Sequence, residues 1–349
     1  MTTDDFRSPS ATGNGPVVDT AQLVLPSQVL PESFDLSMPF PYRISPDIER
    51  SRSQHMAWVA ERGLWKSAAA EATYRIVDQP LICALTHPVA TGEDLDLYIN
   101  AICWSWLWDD SIDKPGPGQA SPKWARRILD AYREALYGRP PSTAEIPLVA
   151  TFRELCLQFN DRTTEHWRHR HEVHWENAFS GFLQEATNNA AQRIPPLDEY
   201  LEMRRGTAGI DIALDWVEAT SDYELSPQAH QDPYLMTLRQ GRVDIVMFTN
   251  DLFSARKEWD EGNTDNIVHV LANKNNCSWT EAAHTVEGMI ADTLTHCQQT
   301  TRALKMSDFY RHTLPGERAI IDRFVEAMEA WNRGNLDWHQ HSPRYRAVK

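Results

Sequence analysis

The sequence predicts an all-α protein folded as a single domain of ten or more helices. Three observations carry this. Past residue 63, apolar residues recur at helical spacing in nearly every segment. Strand-like alternation is scarce, and no repeat with a period of roughly 20–50 residues is present. The joins are short and Pro-bearing, such as Lys114-Pro115-Gly116-Pro117-Gly118 and Arg139-Pro140-Pro141, and no shift in composition divides the body.

Taken in order, residues 1–37 are rich in Ser, Thr, Pro, Gly and Asp and read as a flexible extension to a domain covering 38–349. Ser45-Pro46 reads as a helix start, with Ser as cap and Pro in the first turn, and that helix should stop near Gly63. Helices follow at 65–76, 92–113, 121–136, 146–160, 163–191 and 196–204. Further ones lie at 209–221, 227–258 with a break inside, 263–274, 278–304 and 314–333.

The chain has 349 residues, a net charge of -15 and no basic stripe, which argues against nucleic acid as a partner. An acidic protein can still bind an anion where divalent cations neutralise its carboxylates. Cys83, Cys103, Cys156, Cys277 and Cys297 are odd in number and scattered, as free thiols in a reducing compartment would be. The opening MTTDDFRSPSATGNG lacks the basic start and apolar core of a signal peptide, and no apolar run can span a membrane. A soluble cytoplasmic protein is expected.

Chemistry concentrates in two stretches. In NDLFSARKE, Asn250, Ser254 and Glu258 are four apart and share one helix face. An amide oxygen, a hydroxyl and a carboxylate form the all-oxygen set that hard cations such as Mg²⁺ prefer. Lys257 beside them could meet a phosphate, and Met247 and Val243 continue the face as an apolar wall. In WSWLWDDSID, Asp109, Asp110 and Asp113 close a long apolar helix. Carboxylates there oppose the helix dipole and one another, which is tolerable if cations sit on them. The face above Asp109 runs back through Trp106, Ser105, Ile102 and Tyr98. If the two helices face each other, they enclose an apolar cavity with several metal ions at its mouth. That geometry suits a diphosphate ester with a hydrocarbon tail.

These residues resemble the class I terpene synthases (terpene cyclases) of the microbial type. DDxxD at Asp109–Asp113 followed by NDxxSxxxE at Asn250–Glu258 is that family's pair of metal motifs, in its order and separation. The segment EYLEMRRGTAG (Glu199–Gly209) resembles the diphosphate-sensor segment, and the spacing makes Arg204 rather than Arg205 the sensor. Thr207 and Ala208 then fall where the helix breaks and a main-chain carbonyl turns to the substrate. Arg344 and Tyr345 match the closing Arg–Tyr pair. The PYRISP opening also fits, so the resemblance spans about residues 38–349.

The resemblance implies the class I terpenoid synthase α-domain, a helical bundle around a deep apolar cavity. It implies a carbon–oxygen lyase that ionises a linear prenyl diphosphate and cyclises the cation to a terpene hydrocarbon or alcohol. Farnesyl diphosphate is the first-choice substrate, geranylgeranyl the second and geranyl the third. Three Mg²⁺ ions are implied, two on Asp109 with Asp110 and Asp113 in support, and the third on Asn250, Ser254 and Glu258. Arg204, Lys257, Arg344 and Tyr345 would bind the diphosphate, and Trp106 and Trp338 are the first choices to face the carbocation, ahead of Phe248 and Tyr98. A homodimer is also implied. Ser105 departs from the pattern, standing where an aromatic is common.

A chain-elongating prenyltransferase would carry a second aspartate-rich motif in place of NDxxSxxxE. A protonation-initiated cyclase would need DxDD, which Asp94-Leu95-Asp96-Leu97 does not supply. An inactive prenyl-diphosphate-binding protein would not need intact metal motifs. His166, His169, His171 and His174 spread over several helix faces and read as polar surface rather than as a zinc site.

Overall fold

The computed structural model describes residues 28–65, 67–113, 121–139 and 146–345, with the backbone alone for residues 112 and 113. Among the described residues there is no strand. The helices are α1 (Ile48–Glu61), α2 (Ala68–Val77), α3 (Gln79–Thr86), α4 (Gly92–Asp113) and α5 (Pro122–Leu136). There follow α6 (Pro147–Asn160), α7 (Glu165–Ala191), α8 (Leu197–Thr207), α9 (Ile210–Ala219) and α10 (Pro227–His230). The last are α11 (Pro233–Asp260), α12 (Ile267–Asn275), α13 (Trp279–Met306), α14 (Asp308–His312) and α15 (Pro315–His341), closed by a 3-10 turn at Pro343–Tyr345. None is long and apolar enough to cross a membrane.

Side-chain caps set most of the starts. Ser67, Ser121, Thr164, Asp232, Asn266 and Ser278 each accept a main-chain N–H of the first turn, and Ser278 with Glu281 forms a full capping box. The expected break within 227–258 falls where α10 ends and Asp232 starts α11. Ser45 does not cap the first helix as expected. Asp47 flanks that helix, and the Ser45 hydroxyl donates instead to the Ala90 carbonyl at 2.7 Å.

Two elements escape the periodicity argument. Asp78 takes the left-handed conformation, at φ 51°, and joins α2 to α3 with no loop. Helix α3 is buried on nearly every side, so it has no polar stripe to betray it. Helix α14 is too short for a period to register. Helix α15 runs to His341 rather than 333, straight through Gly334. A Cβ at Gly334 would lie 2.6 Å from the Leu85 carbonyl group, so glycine lets α15 pack directly on the backbone of α3.

The core is aromatic between α4, α5, α6 and α7. Trp104 stacks on Phe152 at 4.8 Å, and Trp108 meets Trp175 and Phe182 edge-on at 5.5 and 4.5 Å. Helix α11 packs on α13 and α15, while α7 packs on α8. Residues 28–40 run over this second half, so contact with the body begins before residue 38. The Thr280 hydroxyl donates to Val29 O, Phe34 meets Phe253 at 5.2 Å, and Arg333 donates to the carbonyls of Met38 and Phe40. Residues 1–27 lie outside the described residues.

Candidate active site

Helices α4 and α11 both line one cavity, and α3, α7, α8, α9, α15 and the closing 3-10 turn complete its wall. Asp109 from α4 reaches the cavity together with Asn250, Ser254, Lys257 and Glu258 from α11. Arg204, Ala208, Arg344 and Tyr345 line it as well. The spacing of four on α11 therefore presents its three oxygen-bearing side chains on one face.

Not every member of the first motif turns inward. Burial and the neighbouring Asp110 push the Asp109 carboxyl up to about 6, against the pull of Arg344, Arg204 and Lys257. Asp110 turns aside and accepts from Arg344 at 3.1 Å, and does not line the cavity. The Asp113 side chain lies outside the described residues. Among the described residues no three of His, Cys, Asp or Glu converge on a metal-sized point. Each motif instead offers the cavity one carboxylate, Asp109 or Glu258. Hard cations held by these residues would complete their coordination with amide, hydroxyl, water and substrate oxygens, which is how Mg²⁺ is usually held. A half-buried carboxyl destabilised by a like-charged neighbour is suited to such cations.

The second motif is braced by residues that its spacing does not reveal. Asn266, buried at the start of α12, donates to Glu258 Oε2 at 2.8 Å and to the Asp251 carbonyl at 2.9 Å. Asp251 points away from the cavity, accepting from Tyr200 and from the main-chain N–H of Ile267. Burial pushes its carboxyl well above the usual range. Arg204 spans the two, donating from Nη2 to Asn250 Oδ1 at 2.9 Å and from Nε to Asp251 Oδ1 at 3.0 Å. Arg205, one residue on, forks onto Asp244 at 2.8 and 2.9 Å and does not line the cavity. Further back, burial and Asp265 push Glu185 up to about 8.

Between Arg204 and α9 the backbone breaks as expected. Helix α8 ends at Thr207, Ala208 caps it, and Gly209 at φ 67° starts α9 in the left-handed region. Lys257 is held by Glu261 at 2.9 Å. The Arg344 guanidinium lies 5.0 Å over the Trp106 ring. Tyr345 stacks on His339 at 5.2 Å.

Below the polar rim the wall is aromatic: Trp106, Trp108, Trp175, Phe182, Trp216 and Trp331. Trp106 is where the sequence suggests, and Ser105 also lines the cavity, its hydroxyl donating to Ile102 O. Trp338 is not on the wall. It lies edge-on behind Trp106 at 5.0 Å and donates to Asp78 O. Phe248 and Tyr98 are buried off the wall too. The residue found instead is Trp331, whose signal in the sequence is its spacing of four from Asn335 and of eight from His339, all three on the wall.

A larger groove, of about 780 Å³, follows the outer face of α7. It holds neither metal motif, and its arginines are paired: Arg170 with Asp215 and Glu218, Arg205 with Asp244, Arg239 with Asp211 and Asp215. The histidine cluster lies beside it and is not all surface. His171 is buried, and it and His174 both bond Asp215, at 3.1 and 2.6 Å.

Residues 100–296 match the family model described as terpene synthase family 2, C-terminal metal binding. The chain is 30% identical over 325 residues to pentalenene synthase of Streptomyces avermitilis, covering 91% of this chain and 94% of that one. It is 28% identical over 330 residues to a 7-epi-alpha-eudesmol synthase of Streptomyces viridochromogenes, named as farnesyl diphosphate cyclizing, covering 92% and 94%. Among solved structures, a-eudesmol synthase superimposes with a TM-score of 0.80 at 25% identity, over 88% of this chain and 99% of that one.

Proposed function

The chain belongs to the class I terpene synthase family, and from that premise we propose that it is a Mg²⁺-dependent sesquiterpene cyclase acting on farnesyl diphosphate. As a family member it is a metal-binding lyase that releases diphosphate from a linear prenyl diphosphate and cyclises the cation left behind. The C15 substrate is favoured by the relative named as cyclising farnesyl diphosphate. One observation carries the site assignment: Asp109 and the Asn250–Ser254–Glu258 face line a single cavity together with Trp106, Trp108, Trp175, Phe182, Trp216 and Trp331. Free thiols at all five cysteines fit a cytoplasmic location.

Three Mg²⁺ ions held by Asp109 and by Asn250, Ser254 and Glu258 would spread the leaving group's charge, as metals do at transferred phosphates. Every other step falls to the chain itself. Arg204 and Arg344 offer planar forks to the diphosphate oxygens, and Lys257 offers a point charge. In the structure Arg204 rests on Asn250 and Asp251, and Arg344 rests on Asp110. Each arginine therefore exchanges a carboxylate or amide partner for substrate phosphate. The C–O electron pair leaves with the diphosphate, and the allylic cation stays against the indole faces of Trp106, Trp331 and their neighbours. Each face stabilises a cation by about 0.5–2 kcal/mol. Exclusion of water by this wall protects the cation until it closes into rings.

The assignment is tested on the ligands. Asp109→Asn and Glu258→Gln should each lower diphosphate release by at least about 100-fold, since each removes a carboxylate from a metal site, with melting temperatures close to wild type. Full turnover in either variant would remove the metal assignment.

A further inference from the structure

An amide offers a metal ion only one of its two ends. If Asn250 were turned end for end, it would present an NH₂ group, which cannot ligate. Its orientation is therefore part of the site, and the contacts around it are directional. His339 on α15 is buried, with Nδ1 2.7 Å from the main-chain oxygen of Asn335. A carbonyl oxygen only accepts, so the proton sits on Nδ1, and Nε2 carries a lone pair. That lone pair faces Asn250 Nδ2 at 3.1 Å. The Tyr345 oxygen accepts from the same nitrogen at 3.3 Å. The opposite end, Oδ1, receives Arg204.

We propose that His339 is a positioning residue for the second metal motif: its Nε2 lone pair holds the Asn250 carboxamide with Oδ1 toward the cation. The proposal rests on the reading of Asn250 as a metal ligand. Arg204 selects the same orientation only while it stays on Asn250, and in the proposed reaction it moves to the diphosphate. His339 has no such second task. Its ring is fixed by stacking on Tyr345 and by the edge of Trp338. With Nδ1–H given to Asn335 and Nε2 to Asn250, the imidazole also has no free lone pair with which to deprotonate a carbocation.

The test is calorimetric binding of Mg²⁺ in the presence of inorganic diphosphate, with no turnover needed. His339→Phe keeps a flat ring on Tyr345 but has no lone pair, and His339→Leu serves should the ring not fit. Either should raise the half-saturating Mg²⁺ concentration by about 10-fold or more, the usual effect of losing a group that orients a ligand. His339→Gln, whose Oε1 reaches the place of Nε2 and accepts, should recover most of the loss. The decisive comparison is made in Asn250→Asp, where both ligand oxygens are equivalent and orientation no longer matters. There the His339→Phe substitution should change Mg²⁺ binding by less than about 2-fold, because no amide remains to be oriented. The same penalty in both backgrounds, or a Gln variant as impaired as Phe with both folded, would overturn the proposal. Uptake of no Mg²⁺ by the wild-type protein with diphosphate would instead overturn the metal reading beneath it.

Discussion

At the scale of the residue, direction decides role. Successive residues on a helix are rotated by about 100°, so neighbours in sequence face different surroundings. Arg204 lines the cavity while Arg205 is bound to Asp244 on the outer side. Arg204→Lys keeps the charge but loses the fork. It should lower kcat/KM for a prenyl diphosphate by about 10-fold or more, roughly the loss of one charge-assisted hydrogen bond. Arg205→Lys should stay within about 3-fold, since Arg205 is bound to Asp244 off the cavity and a lysine keeps the charge of that pair. The reverse ranking in steady-state kinetics would show that the sensor is misassigned. The same rotation explains why Trp338 misses the wall. The cavity face of α15 is Trp331, Asn335 and His339, and Trp338 stands one residue off it. That spacing is visible in the sequence, but nothing in one helix says which of its faces meets the substrate. Asn266 and Tyr200 are illegible for another reason: their bonds to the second motif cross between helices, and the motif's own spacing carries no trace of them.

Among the elements, the long helices are legible in the sequence and the connections between apolar ones are not. Periodicity and the Pro/Gly stretch after Asp113 locate α4 to the residue, whereas α11 is foreseen only within 227–258 with an unplaced break, which falls at Asp232. Helix α3 is invisible to the same reasoning, being buried all round and joined to α2 through one left-handed Asp78. Gly334 reads in sequence as a stop, and in the fold it is a contact. Gly334→Ala would place a methyl group 2.6 Å from the Leu85 backbone, where no side chain can yield. Overpacking of this kind costs about 1–3 kcal/mol. The variant should melt at a lower temperature by scanning calorimetry, and an unchanged melting temperature would show that α15 and α3 separate more readily than their packing implies.

At the scale of the whole molecule, fold and chemistry are joined by one arrangement: two helices from distant parts of the chain bring oxygen-bearing side chains to the same cavity, beside an aromatic wall that neither helix builds alone. The pairing is legible in the sequence only because both motifs occur, in this order and separation: one oxygen-bearing helix face alone reads equally as a polar stripe. Product identity is not legible there, since the wall is assembled from α4, α7, α9 and α15 together. The most direct measurement incubates the purified protein with Mg²⁺ and, separately, geranyl, farnesyl and geranylgeranyl diphosphate, and reads the organic extract by gas chromatography–mass spectrometry. A cyclic fifteen-carbon hydrocarbon or alcohol from farnesyl diphosphate, lost when the metal is chelated, is the predicted result. No product from any of the three in folded protein, or longer prenyl diphosphates formed only when isopentenyl diphosphate is added, would contradict it.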